Sequence, residues 1–184
     1  KTAATVLVEE IEKRTGIHLS ITTQALDKKQ HIRLLVGIKS NHPLSSTPEA
    51  FILTTHPNGN VMINGSDPKG LLNGVGKLLR SLEWSKGSII VPQMNIASAP
   101  NHTIRGHQLG YRTTANSYDA WDVATYDQYI RELAIFGVNA IENIPLQDSP
   151  SEHMPITRQE MNKALALICQ KYGVQYWVWA PATV

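Results

Sequence analysis

Five carboxylates in the second half of the chain are the side chains best suited to chemistry: Asp119, Asp122, Glu142, Asp148 and Glu152. Glycoside hydrolysis usually needs two carboxylic groups, roughly 5–10 Å apart, one to move a proton and one to attack or to activate water. Spacing alone leaves open whether any two of these five meet, but local context separates them. Asp122 stands just before a run with helical periodicity and reads as a helix cap. Asp148 and Glu152 lie in a polar stretch and read as solvated loop residues. Glu142 directly follows the short apolar run Val138–Ile141, and a charge at the end of a buried strand needs a partner. That partner is either a substrate or an internal cation, Arg105 or Arg112.

Other polar and aromatic groups fall at similar places. Gln108, Tyr111 and Arg112 end the strand-like run Thr103–Gly110. Tyr111, Tyr118, Trp121, Trp177 and Trp179 cluster around the expected strand ends and loops. Aromatic rings stack on sugar faces while the hydroxyls find polar partners; ordinary core packing is the competing role. Trp177 and Trp179 lie two residues apart and share a side of a regular strand.

Several chemistries are disfavoured. The seven histidines are His18, His31, His42, His56, His102, His107 and His153; no two stand four apart, and no HExxH occurs. The single Cys169 cannot build a thiolate site, and beside Leu165 and Ile168 it reads as a small buried residue. No metal and no cofactor are expected. Neither a GxSxG motif nor a Cys near a His is present. The spacing of Gly70, Gly74 and Gly76 fits neither the dinucleotide nor the P-loop pattern. A net charge of +2, without a basic run longer than two, argues against nucleic acid as a partner. No apolar run approaches the roughly 20 residues of a membrane span. Lys1 in place of Met reads as a processed or engineered N-terminus, so the absence of a leader does not argue for the cytoplasm.

The elements that must position these residues divide into two sets. Ala3–Thr15 is helical, with Ala4, Leu7, Val8 and Ile11 on one face and Gly16 as its stop. Leu19–Thr22 alternates like a strand, and His31–Ile38 reads as a strand covered on both faces. Ala50–Thr55 and Val61–Asn64 flank Asn58-Gly59, the strongest short hairpin signal. The next helix has Ser66 or Asp67 as cap, Pro68 in its first turn, and a wide stripe from Leu71 to Leu82. Gly70 and Gly74 share one side of it and permit close packing on a sheet. Ser88–Val91 is a last short strand, Pro92–Pro100 a connector, and the boundary falls near Ala99. Residues 1–99 thus form an α+β domain. Residues 100–184 are α/β, with strands at Thr103–Gly110, Val138–Ile141 and Val174–Trp179 alternating with helices at Asp122–Phe136 and Arg158–Tyr172. These are three strand–helix steps of a (β/α)8 barrel, which needs eight steps and about 250 residues. An incomplete TIM-barrel segment leaves Val174–Trp179 as an open edge, able to drive self-association.

The segment TIRGHQLGYR, Thr103–Arg112, resembles the opening strand of the family 20 β-hexosaminidase barrel, which carries an Arg-Gly pair after a short linker. Upstream, AATVLVEEIEKRTGI, the hairpin and INGSDPKGLLNGVGKLLR are similar to the non-catalytic domain that precedes such barrels. This resemblance implies a hexosaminidase domain 2-like first domain, zincin-like but without zinc, and gives Arg105 the role of holding hydroxyls of a terminal sugar. It places the catalytic Asp-Glu pair at the fourth strand, beyond Val184, which leaves Glu142 as the one catalytic candidate here. Gly110 stands where that family has an acidic residue, and Glu142-Asn143 where it has a His-containing strand end. The run GYRTTANSYDAWDVATYDQYIRELAIFGVNAIE is similar to the start of family 89 α-N-acetylglucosaminidase barrels. α-Glucuronidases join a similar first domain to a barrel. Together these resemblances imply the N-terminal part of an exo-acting glycoside hydrolase of bacterial polysaccharide degradation, periplasmic or extracellular, inactive at this length. Its substrate is a carbohydrate, bound by Arg105, Gln108, Tyr111, Arg112, Glu142 and Trp179. The alternative is a non-catalytic carbohydrate-binding or scaffold module.

Overall fold

The computed structural model describes residues 1–24, 30–109, 116–144 and 151–178. The chain divides into two compact units, Lys1–Asn101 and His102–Val184. In the first, helix α1 (Thr2–Thr15) is followed by strands β1 (Ile32–Val36), β2 (Phe51–Thr55) and β3 (Val61–Gly65) and helix α2 (Pro68–Ser81). Strands β4 (Glu83–Ser85), β5 (Ser88–Ile90) and β6 (Asn95–Ser98) complete the unit. A four-stranded sheet has the order β1-β3-β2-β6, and β4 and β5 form a separate hairpin. β1 runs parallel to β3; the other pairings are antiparallel.

The β2–β3 hairpin turns at the predicted Asn58-Gly59, where Gly59 has φ +83°. Both strands alternate buried and half-buried residues. α2 covers their buried side. Asp67 caps α2, accepting from Gly70 N and Glu49 N at 2.7 Å each. The close approach read from Gly70 and Gly74 is present. A Cβ on Gly70 would lie 2.2 Å from Ala50 O, and one on Gly74 2.5 Å from Ile63 Cγ2. Leu71, Leu72, Val75, Leu78 and Leu79 are buried, as are Val6, Leu7 and Ile11 of α1.

Four expectations change in this unit. Leu19–Thr22 is not a strand; no ladder forms there, and Ile21 is exposed. The apolar run His31–Ile38 is not covered on both faces: β1 is an edge strand paired to β3, and Leu35 and Val36 are exposed. The connector Pro92–Pro100 contains β6, which pairs with β2. Its residues Asn95-Ile96-Ala97-Ser98 carry too little apolar signal to read as a strand. The buried face of α1 centres on Ala3, Val6, Leu7, Glu10 and Ile11, with Ala4 and Val8 half-buried. Glu10 can lie inward because Arg14, one turn on, forms an ion pair with it and stacks over Trp84.

The second unit runs β7 (Gly106–Gln108), a 3-10 turn (Ser117–Ala120), α3 (Val123–Ile135), β8 (Ala140–Glu142), α4 (Arg158–Tyr172) and β9 (Gln175–Trp177). The three strands are parallel in the order β7-β8-β9. Each is three residues long, shorter than the predicted runs. Asn139 explains the short start of β7. Its carboxamide accepts from Arg105 N and donates to Thr103 O, both at 2.8 Å, occupying backbone groups that a longer ladder would use. The helices start as predicted. Asp122 accepts from Thr125 N at 2.7 Å, and Thr157 and Glu160 form a capping box. α3 and α4 pack together through a core that includes Tyr126, Ile130, Met161, Leu165, Cys169 and Tyr172. Burial of Cys169 agrees with its reading as a small core residue.

Candidate functional site

In-register parallel strands put alternate residues into rows on opposite faces. One row is His107, Ile141 and Tyr176, and it faces the helices. The His107 ring meets Tyr129 of α3 edge-on at 5.8 Å, Ile141 is fully buried, and the Tyr176 hydroxyl donates to Asn162 Oδ1 of α4. Burial pushes the Tyr176 phenol up, keeping its proton for that bond.

The other row is Gln108, Glu142 and Trp177, at the carboxyl ends of the strands. Gly106, Ala140 and Gln175 precede it by two residues and share its face. Gln108, Gln175 and Trp177 are exposed, Trp177 by 46%, and Glu142 is half-buried. Gln108 Nε2 donates to Glu142 Oε2 at 3.0 Å, and Trp177 Nε1 donates to Gln175 Oε1 at 3.1 Å. This face offers a carboxylate acceptor held by an amide, two carboxamides and an open indole plane. Those groups suit a polyol with apolar C–H faces. Glu142 is the one carboxylate among these six residues, so the face does not by itself hold the pair that hydrolysis requires.

Among the described residues, the partner of Glu142 is Gln108, and no ion pair joins it to Arg105. The Arg105 guanidinium donates to Gly137 O at 2.7 Å and His102 O at 2.8 Å. It thus grips the segments that precede β7 and β8, at the amino ends of the strands. Tyr111, Arg112, Asp148 and Trp179 lie outside the described residues. Asp122 is the predicted cap, and Glu152 is an exposed turn residue. Asp119 is buried in the 3-10 turn, with Oδ1 unpartnered.

The aromatics divide between the two faces. Trp121 packs on Tyr126 at 5.2 Å and Tyr129 at 5.3 Å, and the buried Tyr118 donates to Asn116 Oδ1 at 2.9 Å. Both belong to the packing around α3. Trp177 takes the opposite role, open on the polar face rather than in the core. Gln175 was not anticipated from sequence; its two-residue spacing from Trp177 was the available signal.

No protein-family profile matches the sequence, and no curated protein sequence matches it. Solved structures do match. The family 20 β-N-acetylhexosaminidase of Streptomyces coelicolor A3(2) superposes with TM-score 0.69 at 15% identity, over 95% of this chain and 38% of that one. The family 20 exo-β-N-acetylglucosaminidase of Vibrio harveyi, in complex with N-acetylglucosamine, gives TM-score 0.68 at 14% identity, over 96% and 30%. A family 138 enzyme targeting pectin rhamnogalacturonan II gives 0.66 at 19%, over 95% and 29%. The chain therefore spans about a third of the length of these structures, and at such identities the likeness is one of fold. In fold, the chain resembles the N-terminal region of family 20 hexosaminidases, as its own Arg-Gly strand and Gly-rich helix implied.

Proposed function

We propose that this chain is the N-terminal part of an exo-acting glycoside hydrolase that works on terminal sugars outside the cytoplasm. The observation that carries this reading is the row Gln108–Glu142–Trp177 at the carboxyl ends of three parallel strands, with Gln108 and Trp177 exposed and Glu142 half-buried between them. Barrel enzymes hold their chemistry at that end, and the fold neighbours are glycoside hydrolases. The first unit acts as the zincin-like non-catalytic domain. The second supplies the first three strand–helix steps of a (β/α)8 barrel. Gln108, Glu142 and Trp177 contact the sugar, joined by Tyr111, Arg112 and Trp179. Arg105 serves by fixing the start of β7 against β8. Glu142 accepts hydroxyl hydrogen bonds and is not half of a catalytic pair, so these 184 residues bind sugar weakly without cleaving it. Among the described residues, no helix is long and apolar enough to span a bilayer.

The test is an NMR titration of the whole chain with N-acetylglucosamine, joined to an aryl-glycoside assay. The Trp177 indole N–H and the amides of Gln108 and Glu142 should move, with no turnover. A silent Trp177, or turnover lost in Glu142→Gln, would overturn the proposal.

A further inference from the structure

We propose a second, separate carbohydrate site on the first unit, selective for a saccharide that bears a carboxylate, such as a hexuronate. The site is a cleft of about 370 Å³ between β1 and the β2–β3 turn, lined by His31, Arg33, His56, Asn58, Asn60 and Met62. Its chemistry follows from how the turn is bonded. Asn60 Oδ1 accepts from His31 N at 3.2 Å, and Asn58 Oδ1 accepts from Asn60 N at 3.1 Å. One lone pair of each carboxamide oxygen is thus taken by backbone, which fixes the amide, and each NH2 is left as a donor for the cleft. His56 is held beside them by its backbone N–H, which donates to Asn60 O at 2.8 Å. Arg33 is exposed and carries no hydrogen bond or ion pair among the described residues. It lies in register with Met62, whose half-buried side chain adds an apolar surface.

The lining therefore combines donors and a fixed cation, and no carboxylate lines the cleft among the described residues. A guanidinium with flanking amide donors matches the geometry of a carboxylate, and the volume suits a small ligand such as a monosaccharide. A bare sugar would leave Arg33 without a counter-charge, whereas a uronate supplies one. The choice of a saccharide rests on the glycosidase reading above. The charge and donor pattern of the cleft does not.

The experiment is a 1H–15N NMR titration of the full chain with galacturonate, galactose and sodium sulfate at matched ionic strength, repeated on Arg33→Ala. Galacturonate should shift the amides of Arg33, His56, Asn58 and Asn60. Galactose and Arg33→Ala should each weaken that response at least tenfold. Arg33 is exposed, so the variant's own spectrum will confirm its fold. The proposal is overturned if galactose acts as well as galacturonate, if sulfate alone reproduces the effect, if Arg33→Ala changes nothing, or if these amides stay silent. The Trp177 indole N–H reports the other site in the same spectra, so either reading can fail without the other.

Discussion

In the first unit, β2 and β3 run five residues each and alternate between buried and half-buried positions. In the second, β7 and β9 run three and read exposed, half-buried, exposed. Both units lay helices on one side of a sheet, but they treat the other side differently. On β2 and β3 that side carries Ile52, Thr54, Met62 and Asn64, none fully exposed. In the second unit it carries Gln108, Gln175 and Trp177, open to solvent. Burial of apolar area on a second face adds to a strand's stability. An open polar face contributes little to stability and leaves its side chains available for a ligand. The central strands β2 and β3 therefore form a support, whereas the second sheet, like the edge strand β1 with Arg33 and Leu35, leaves side chains on display.

The largest expected effect comes from disturbing the support. Gly70→Ala would place a methyl 2.2 Å from Ala50 O, backbone against backbone, with no side chain able to give way. Overpacking typically costs about 1–3 kcal/mol, and this site belongs at or above the top of that range. Gly74→Ala should cost less, because its obstacle is the side-chain carbon Ile63 Cγ2. Urea unfolding followed by NMR at Ile63 and Ile141 separates the units. Gly70→Ala should lower the midpoint at Ile63 and leave Ile141 unchanged. Equal stability of the variant would mean that close approach through glycine does not hold α2 to its sheet.

A second substitution pair sharpens the contrast within the display. Ile141 is 1% exposed and faces the helices, so Ile141→Ala should cost about 2–4 kcal/mol. Trp177→Ala, on the open face, should cost less than about 1 kcal/mol while removing the response to N-acetylglucosamine. If Trp177→Ala unfolds the unit, the polar row is a core and not a site.

These contrasts also explain what was legible beforehand. The hairpin at Asn58-Gly59, a helix cap at Ser66 or Asp67 and the glycine pair were readable because each follows a local rule. Helix α4 matches its predicted range for the same reason, with a capping box at one end and Gly173 at φ +63° at the other. β6 and the edge position of β1 were not readable, since both depend on which distant strand lies alongside. The shifted face of α1 depended on a carboxylate, Glu10, being made core-compatible by Arg14. Of the candidate site, Gln108 and Glu142 were legible as polar residues at strand ends. Their mutual hydrogen bond, and the role of Gln175 beneath Trp177, required the register between strands. Arg105 marked the right strand, but its described bonds lie at the amino ends of β7 and β8.

A smaller effect should come from Asp67→Ala, which removes bonds to both Gly70 N and Glu49 N. Loss of an N-cap typically costs about 1 kcal/mol, and the second bond raises the expectation to about 2 kcal/mol. The drop should appear at Ile63 and not at Ile141. A loss confined to helix α2, without the β2 end near Glu49, would show that the second bond contributes nothing.

The smallest expected effect is a pH dependence peculiar to the second unit. The Thr125 N–H holds the Asp122 carboxyl below its ordinary value, and the Thr157 hydroxyl, followed by the Thr157 N–H, does the same for Glu160. A folded-state pKa below the unfolded value means that the unfolded chain binds more protons as the pH falls. The stabilisation is therefore complete above the ordinary carboxylate range of about 4. It is lost as acid takes the pH down through the lowered folded values. Both groups are fully exposed, so salt should weaken the effect. Asp122→Asn with Glu160→Gln preserves capping geometry while removing the titration, since Asn and Gln serve those positions as well. Unfolding midpoints at Ile141, measured at pH 7 and pH 3, should fall less in the double variant than in the parent. Identical falls in both would show that α3 and α4 owe no acid sensitivity to their caps.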